Sequence, residues 1–308
     1  MIRQAIIAAA TLSTLALPAV ALADPIIGQP VPCTKVTDLV GPDFSVKQCG
    51  VSDVDQFRAG LENNGGAYCG PTSLYNVLHY WAHEKNAPVG WLTTKVKDLD
   101  PQDQADYNVI TNSVGRIGVD AKYTSKGTNL GNLRAAWNIA TKPARDAGWS
   151  TATSGIDTNI SADFAGDLAR KLARGPVQMV YGRYSDGPAD SLQRGGGHIV
   201  TVVSVDGSFD GTTVQVRYMD PGRASDHGIG DYLKTQSDYA TVNATLTKKT
   251  VVEWIPTKNN PENDLGDIAI PGTFRTVTRW QLTTPGSTAT TTQLVEGFSW
   301  FDMAPPVG

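Results

Sequence analysis

The sequence predicts an α+β protein, a helical half carrying a candidate nucleophile packed on an antiparallel β half, with an active-site cleft between them. Three observations lead there. Apolar residues recur at helical spacing between residues 74 and 172, β-branched runs take over from residue 177, and the two kinds of segment do not alternate. Helices first and strands second is an α+β order, and a cleft between such halves is a natural place for a site.

The chain opens with Arg3, an apolar run and the ending Ala21-Leu22-Ala23, the layout of a cleavable secretory signal over residues 1–23. Thr11, Ser13, Thr14 and Pro18 interrupt the run and argue against a membrane anchor. The mature chain is expected to start near Asp24 and to be secreted or periplasmic, with no membrane association after signal cleavage. The formal charge of the 308 residues is −4. Losing Arg3 makes it about −5, and no dense Lys/Arg block occurs, so nucleic acid is excluded as an expected partner.

Residues 24–60 carry several Pro and Gly and few periodic apolar positions, the pattern of an extended arm packed on the body, or of a propeptide. The three cysteines are Cys33, Cys49 and Cys69, and an oxidising compartment favours pairing two of them. Bridging Cys33 to Cys49 closes a loop of about 15 residues, worth roughly 3 kcal/mol in the chain-entropy model, and leaves Cys69 free. The count also allows two other pairings.

Residues 61–250 are expected to form the catalytic domain. Gly70-Pro71 opens a helix on which Leu74, Val77, Leu78 and Trp81 form a buried stripe, so Cys69 sits at a helix N-terminus. Unpaired N–H groups and the positive dipole end there favour thiolate over thiol. Two further helices follow from Tyr107, Ile110, Val114 and Ile117, and from Leu130, Leu133, Trp137 and Ala140. Another, with Phe164, Leu168 and Leu172, starts after Ser161 and stops at Gly175-Pro176. Strands are expected at 177–181, 199–205 and 214–219, then at 250–255, 274–282 and 291–301. Residues 251–308 read as a β-rich C-terminal extension packed on the catalytic domain.

A cysteine nucleophile needs a base within hydrogen-bond reach and a third group to orient it. His79 and His83 lie on the helix of Cys69, roughly 15 and 21 Å along its axis, too far to serve. They form H-x-x-x-H, but Tyr80 rather than Glu follows His79, so no metal is expected. His198 follows three glycines and precedes an apolar strand, and His227 is a weaker candidate beyond it. A hairpin of residues 199–205 and 214–219, with its loop centred on residue 209, sets His198 opposite Asp220 on one face. A single bulge would alter that register. For the oxyanion the backbone N–H of Cys69 is one donor, and a side-chain amide of Asn63 or Asn64 is the candidate second.

The run from Tyr68 to Leu74, Y-C-G-P-T-S-L, resembles the nucleophile helix of papain-like cysteine peptidases, most closely the bacterial double-glycine (bacteriocin-processing) peptidase-like group. Leu172-Ala-Arg-Gly-Pro-Val177, Gly197-His198-Ile199-Val200-Thr201-Val202-Val203 and Asp220-Pro221 resemble its helix end, histidine strand and acid. The resemblance covers residues 60–222. It implies a papain-like fold with Cys69 as nucleophile, His198 as base and Asp220 as orienting acid, no cofactor, and a peptide or protein substrate. Two departures accompany it. The family's Gln six residues before the cysteine is Asn63 here, and the transporter partner domains of the double-glycine enzymes have no counterpart, so cleavage of Gly-Gly leaders is not implied.

The expected activity is that of an exported cysteine peptidase working through an acyl-thioester on Cys69. Transglutaminase or amidase-type acyl transfer uses the same triad. A non-catalytic peptide- or cell-wall-binding protein is the third reading, favoured by Trp254, Trp280 and Trp300 in the C-terminal strands.

Overall fold

Strands dominate the molecule. The computed structural model describes residues 33–90, 92, 104–151, 155–157, 163–222, 241–256, 272–286 and 290–306. The expected signal segment, Ser161 and His227 lie outside them. In chain order the elements are β1 (Val36–Asp38), β2 (Asp43–Lys47), α1 (Cys69–His83), α2 (Gln104–Asp120), α3 (Leu130–Ala140), α4 (Lys142–Asp146), β3 (Gly155–Asp157) and α5 (Phe164–Leu172). They continue with β4 (Val177–Asp186), β5 (Leu192–Ser208), β6 (Thr213–Met219), β7 (Val242–Pro256), β8 (Gly272–Thr283) and β9 (Thr292–Trp300).

The six strands β4 to β9 close on themselves. β5 pairs with β4, β4 with β9, β9 with β8, β8 with β7, β7 with β6 and β6 with β5, each antiparallel. β2 extends the sheet from β5 and carries β1, while the short β3 pairs with β9. Closure removes the free edges that an open sheet must protect.

This barrel corrects the expected papain-like α+β fold. The protein is mostly β, with few helices among the described residues, and no helical half packs on a sheet. The segment types are those the sequence texture suggests, but closure depends on β9 meeting β4, where Val177 faces Trp300. A pairing so distant in sequence leaves no local pattern to read. The boundary at 250/251 falls inside β7, and the expected extension supplies β8 and β9 to the barrel. The N-terminal arm is likewise built in: β2 pairs with β5, and Val46, Val51 and Val54 are buried.

Cys33 and Cys49 are disulfide-bonded with Cα atoms 5.8 Å apart, and Cys69 is free. The bridge is consistent with a secreted protein. Among the described residues no helix is long and apolar enough to cross a membrane.

Two cores lie on opposite faces of β5. Ile199 and Val203 join the residues of α1, α2 and α3, while Val200, Val202 and Val205 join Phe164, Leu168 and Leu172 of α5. Of the helical stripes read from the sequence, Ile110, Val114, Leu133 and Trp137 are fully buried, while Leu130 is half-buried. α1 is buried on all sides from Gly70 to Trp81, lying between β5 and the pair α2 and α3. Polar ties fix its first turn to the barrel. Ser73 Oγ and Thr201 Oγ1 are 2.8 Å apart, and Gln178 donates through Nε2 to the Gly70 carbonyl at 3.3 Å while its Oε1 accepts from Ser299 Oγ.

Candidate active site

Cys69 is the first residue of α1, and no side chain caps that helix end. The first N–H groups of a helix have no intrahelical partner, so they are available to sulfur or to a substrate oxygen. The N–H groups of Gly70 and Ile199 point at the thiol, and His198 shares a side-chain hydrogen bond with it. Burial works against the thiolate, but the hydrogen bond and charge of His198, helped by these two N–H groups, hold the thiol below its ordinary range.

His198 is buried in β5, directly opposite Tyr181 of β4, whose ring meets the imidazole edge to face at 5.5 Å. Its Nε2 is 2.6 Å from Asp220 Oδ1, which leaves Nδ1 for the sulfur. Burial opposes the imidazolium, yet the bonds and charges of Asp220 and Cys69 raise His198 from 6.5 to about 9. Asp220 Oδ1 also accepts the Gly222 N–H at 2.8 Å, which holds the carboxylate in its turn.

The register that brings these two together differs from the simple hairpin. Asp206 faces Gln215 and Val205 faces Val216, and then the ladder shifts between Val202 and Ser204, so that Thr201 faces Met219. Continuing this register sets Asp220 opposite Val200, diagonal to His198 on the same face. Without the bulge the two side chains would fall on opposite faces. The diagonal spacing of about 7 to 8 Å between backbones is spanned by an imidazole and a carboxylate together. The three glycines before His198 belong to β5 rather than to a turn, and a Cβ at Gly197 would lie 2.6 Å from the Arg194 guanidinium.

Cys69, His198 and Asp220 line one cavity of about 590 Å³. Asn63 and Asn64 are exposed, both in the left-handed region, and neither lines it. The side-chain amide that does is Gln56, only 5% exposed. Its backbone N–H donates to the Pro221 carbonyl at 2.9 Å and its Nε2 to the Gly65 carbonyl at 3.2 Å, which ties the acid's turn to the approach to Cys69. The opposite amide orientation would set two oxygens together, so the Gly65 bond fixes it. Nε2 carries a second hydrogen that the Gly65 bond does not use. The sequence signal was present: Gln56 is the one Gln between Cys49 and Cys69, set back by the Gly-rich excursion from Gly60 to Gly66.

Gly65 is essential to that excursion. It has φ +81°, and a Cβ there would lie 1.6 Å from the Gln56 carbonyl oxygen. Gly65→Ala is therefore expected to cost more than about 2 kcal/mol, read as a lowered denaturation midpoint.

The remaining candidates lie elsewhere. His79 is buried and stacks between Tyr75 and His83, with 4.6 Å separating the two imidazoles. Trp280 is a core residue packed near Phe164, Trp254 and Trp300 are half-buried, and none of the three lines the cavity.

Known protein families, curated proteins and solved structures offer no match to this chain. Its function is therefore read from the cavity itself.

Proposed function

We propose that the protein is an exported thiol hydrolase that cleaves a peptide or amide bond through an acyl-thioester on Cys69. The observation that carries this reading is the continuous Cys69–His198–Asp220 hydrogen-bonded chain in one cavity. A free, half-buried thiol beside an imidazole that is itself held by a carboxylate is the arrangement that activates a cysteine nucleophile. The disulfide supports an exported, secreted or periplasmic setting.

In the reaction, Cys69 Sγ attacks the carbonyl carbon and the negative charge moves to its oxygen. The Cys69 N–H at the α1 terminus and the free N–H of Gln56 Nε2 are the donors assigned to that oxyanion. Collapse breaks the C–N bond as His198 gives its proton to the departing amine. Water then attacks the thioester, His198 takes its proton, and the acid leaves with Cys69 restored. Asp220 holds the imidazole with Nδ1 toward the sulfur throughout. The motifs shared with double-glycine peptidase-like enzymes support the reading at the level of chemistry, since one constellation recurs on unrelated folds.

A peptide library incubated with the mature protein, with Cys69→Ala as control, tests the proposal. Cleavage by the wild type alone is expected. Products that incorporate an added amine would instead indicate acyl transfer, and a biological effect that survives Cys69→Ala would favour a binding role.

A further inference from the structure

We infer that the substrate carries a carboxylate beside the scissile bond. The inference rests on the thiol hydrolase reading and names the class of substrate its cavity takes. Three cationic side chains line the cavity: Lys126, Arg183 and Arg194. Asp220 is the sole carboxylate among the described lining residues, and His198 already engages it.

The three cations are not equivalent. Arg194 is spent on Glu296, which it grips with both Nε and Nη2, the latter at 2.9 Å, and Tyr184 adds a further bond to that carboxylate. Arg183 donates to the Tyr181 hydroxyl and has no acidic partner among the described residues. The same holds for Lys126. Both are exposed, and with no acidic partner among the described residues each can orient toward a ligand.

Backbone geometry gives that ligand room. Arg183 faces Gly196 across β4 and β5, and a Cβ built on Gly196 meets nothing within 4 Å. Tyr181 and Arg183 share a face of β4 with His198 opposite Tyr181, so Arg183 leaves the strand on the face that carries His198. On the other wall, Lys126 belongs to the tight Thr124–Gly127 turn, and Gly127 approaches the Ala67 carbonyl two residues before Cys69. A planar guanidinium and an ammonium flanking an open glycine floor recognise a carboxylate by a forked bond and a point charge. In a chain whose net charge is −4, this local excess of positive charge selects by sign.

Beyond Arg194 the cavity runs into a second recess lined by Leu130, Val180, Ile199 and Glu296. It offers an apolar seat for the neighbouring residue of the same substrate.

The test uses two alkylating probes of similar size, iodoacetate and iodoacetamide, on Cys69 of the full mature chain. The ratio of their rates isolates the effect of probe charge, because any change in thiolate reactivity cancels. Arg183→Glu and Lys126→Glu are each expected to lower the iodoacetate to iodoacetamide ratio on the order of tenfold, and added salt to lower it in the wild type. Arg183→Gln, which keeps a hydrogen-bond donor for Tyr181, is expected to fall between. A ratio unchanged in both charge-reversed variants overturns the inference. Loss of the thiol hydrolase reading has a different signature, an iodoacetamide rate no greater than that of a free cysteine. Peptide pairs then locate the carboxylate: preference for internal Glu over Gln marks a side chain, and preference for a C-terminal acid over its amide marks a chain end. Equal rates in both pairs count against the inference.

Discussion

His198→Ala is expected to lower turnover at least about 10³-fold and to return Cys69 to the reactivity of an unassisted buried thiol. Two contributions disappear together. The imidazole supplies the hydrogen bond and charge that hold the thiolate, and among the described residues it is the side chain placed to carry the proton of the sulfur. Burial of Cys69 then acts unopposed by His198 and pushes the thiol upward. Steady-state cleavage and the rate of alkylation near neutral pH both report the loss. Asp220→Asn is expected to have a smaller effect in the same direction, because the asparagine amide still holds the ring but no longer stabilises its charge.

The second large effect belongs to Gln56. Gln56→Leu removes the only side-chain amide that lines the cavity among the described residues, and the expected loss is about 10²-fold in kcat with little change in KM. A donor that acts on the developing oxyanion contributes more to the transition state than to the ground state. Alkylation of Cys69 needs no oxyanion, so the iodoacetamide rate separates this role from damage to the nucleophile. Asn63→Ala and Asn64→Ala, at exposed positions outside the cavity, are expected to leave kcat unchanged.

The contrast between Gln56 and Asn63 shows what a fixed spacing can and cannot carry. Counting six residues back from Cys69 lands on an exposed left-handed turn, because Gly60, Gly65 and Gly66 let the chain loop out and return between Gln56 and the helix. His198 and Asp220 were legible for a different reason. They flank a local hairpin, and the two-residue difference between the simple register and the bulged one preserved the face they share. The Cys33–Cys49 bridge is the pairing that the short loop between them favoured over the two others the count allowed.

Segment types were legible through periodicity, as the buried positions of α2, α3 and α5 demonstrate. The architecture was not. An antiparallel run of strands can form an open layer or a ring, and the choice here is made by β9 inserting between β4 and β8. Val295 of β9 faces Tyr181 on one side and Trp280 on the other, contacts far apart in sequence that no local pattern encodes. The consequence for function is a nucleophile helix that lies against a barrel strand, with its first turn held by Gln178 and Thr201, rather than at the seam of two separate halves.

Protonation gives the most direct access to the central claim, that Cys69 and His198 rest as a thiolate and an imidazolium. The folded protein holds a proton on His198 up to about pH 9, whereas the unfolded chain releases it near 6.5. The stability this carries is full below about 6.5 and is lost as pH rises through about 9. The measurement is the rate of Cys69 alkylation by iodoacetamide as a function of pH. A rate that is already high near pH 6 and flat until it changes near pH 9 is the predicted result. A single rise centred on the ordinary thiol value of about 8.5, with no plateau beneath it, would contradict the ion pair and the catalytic reading built on it.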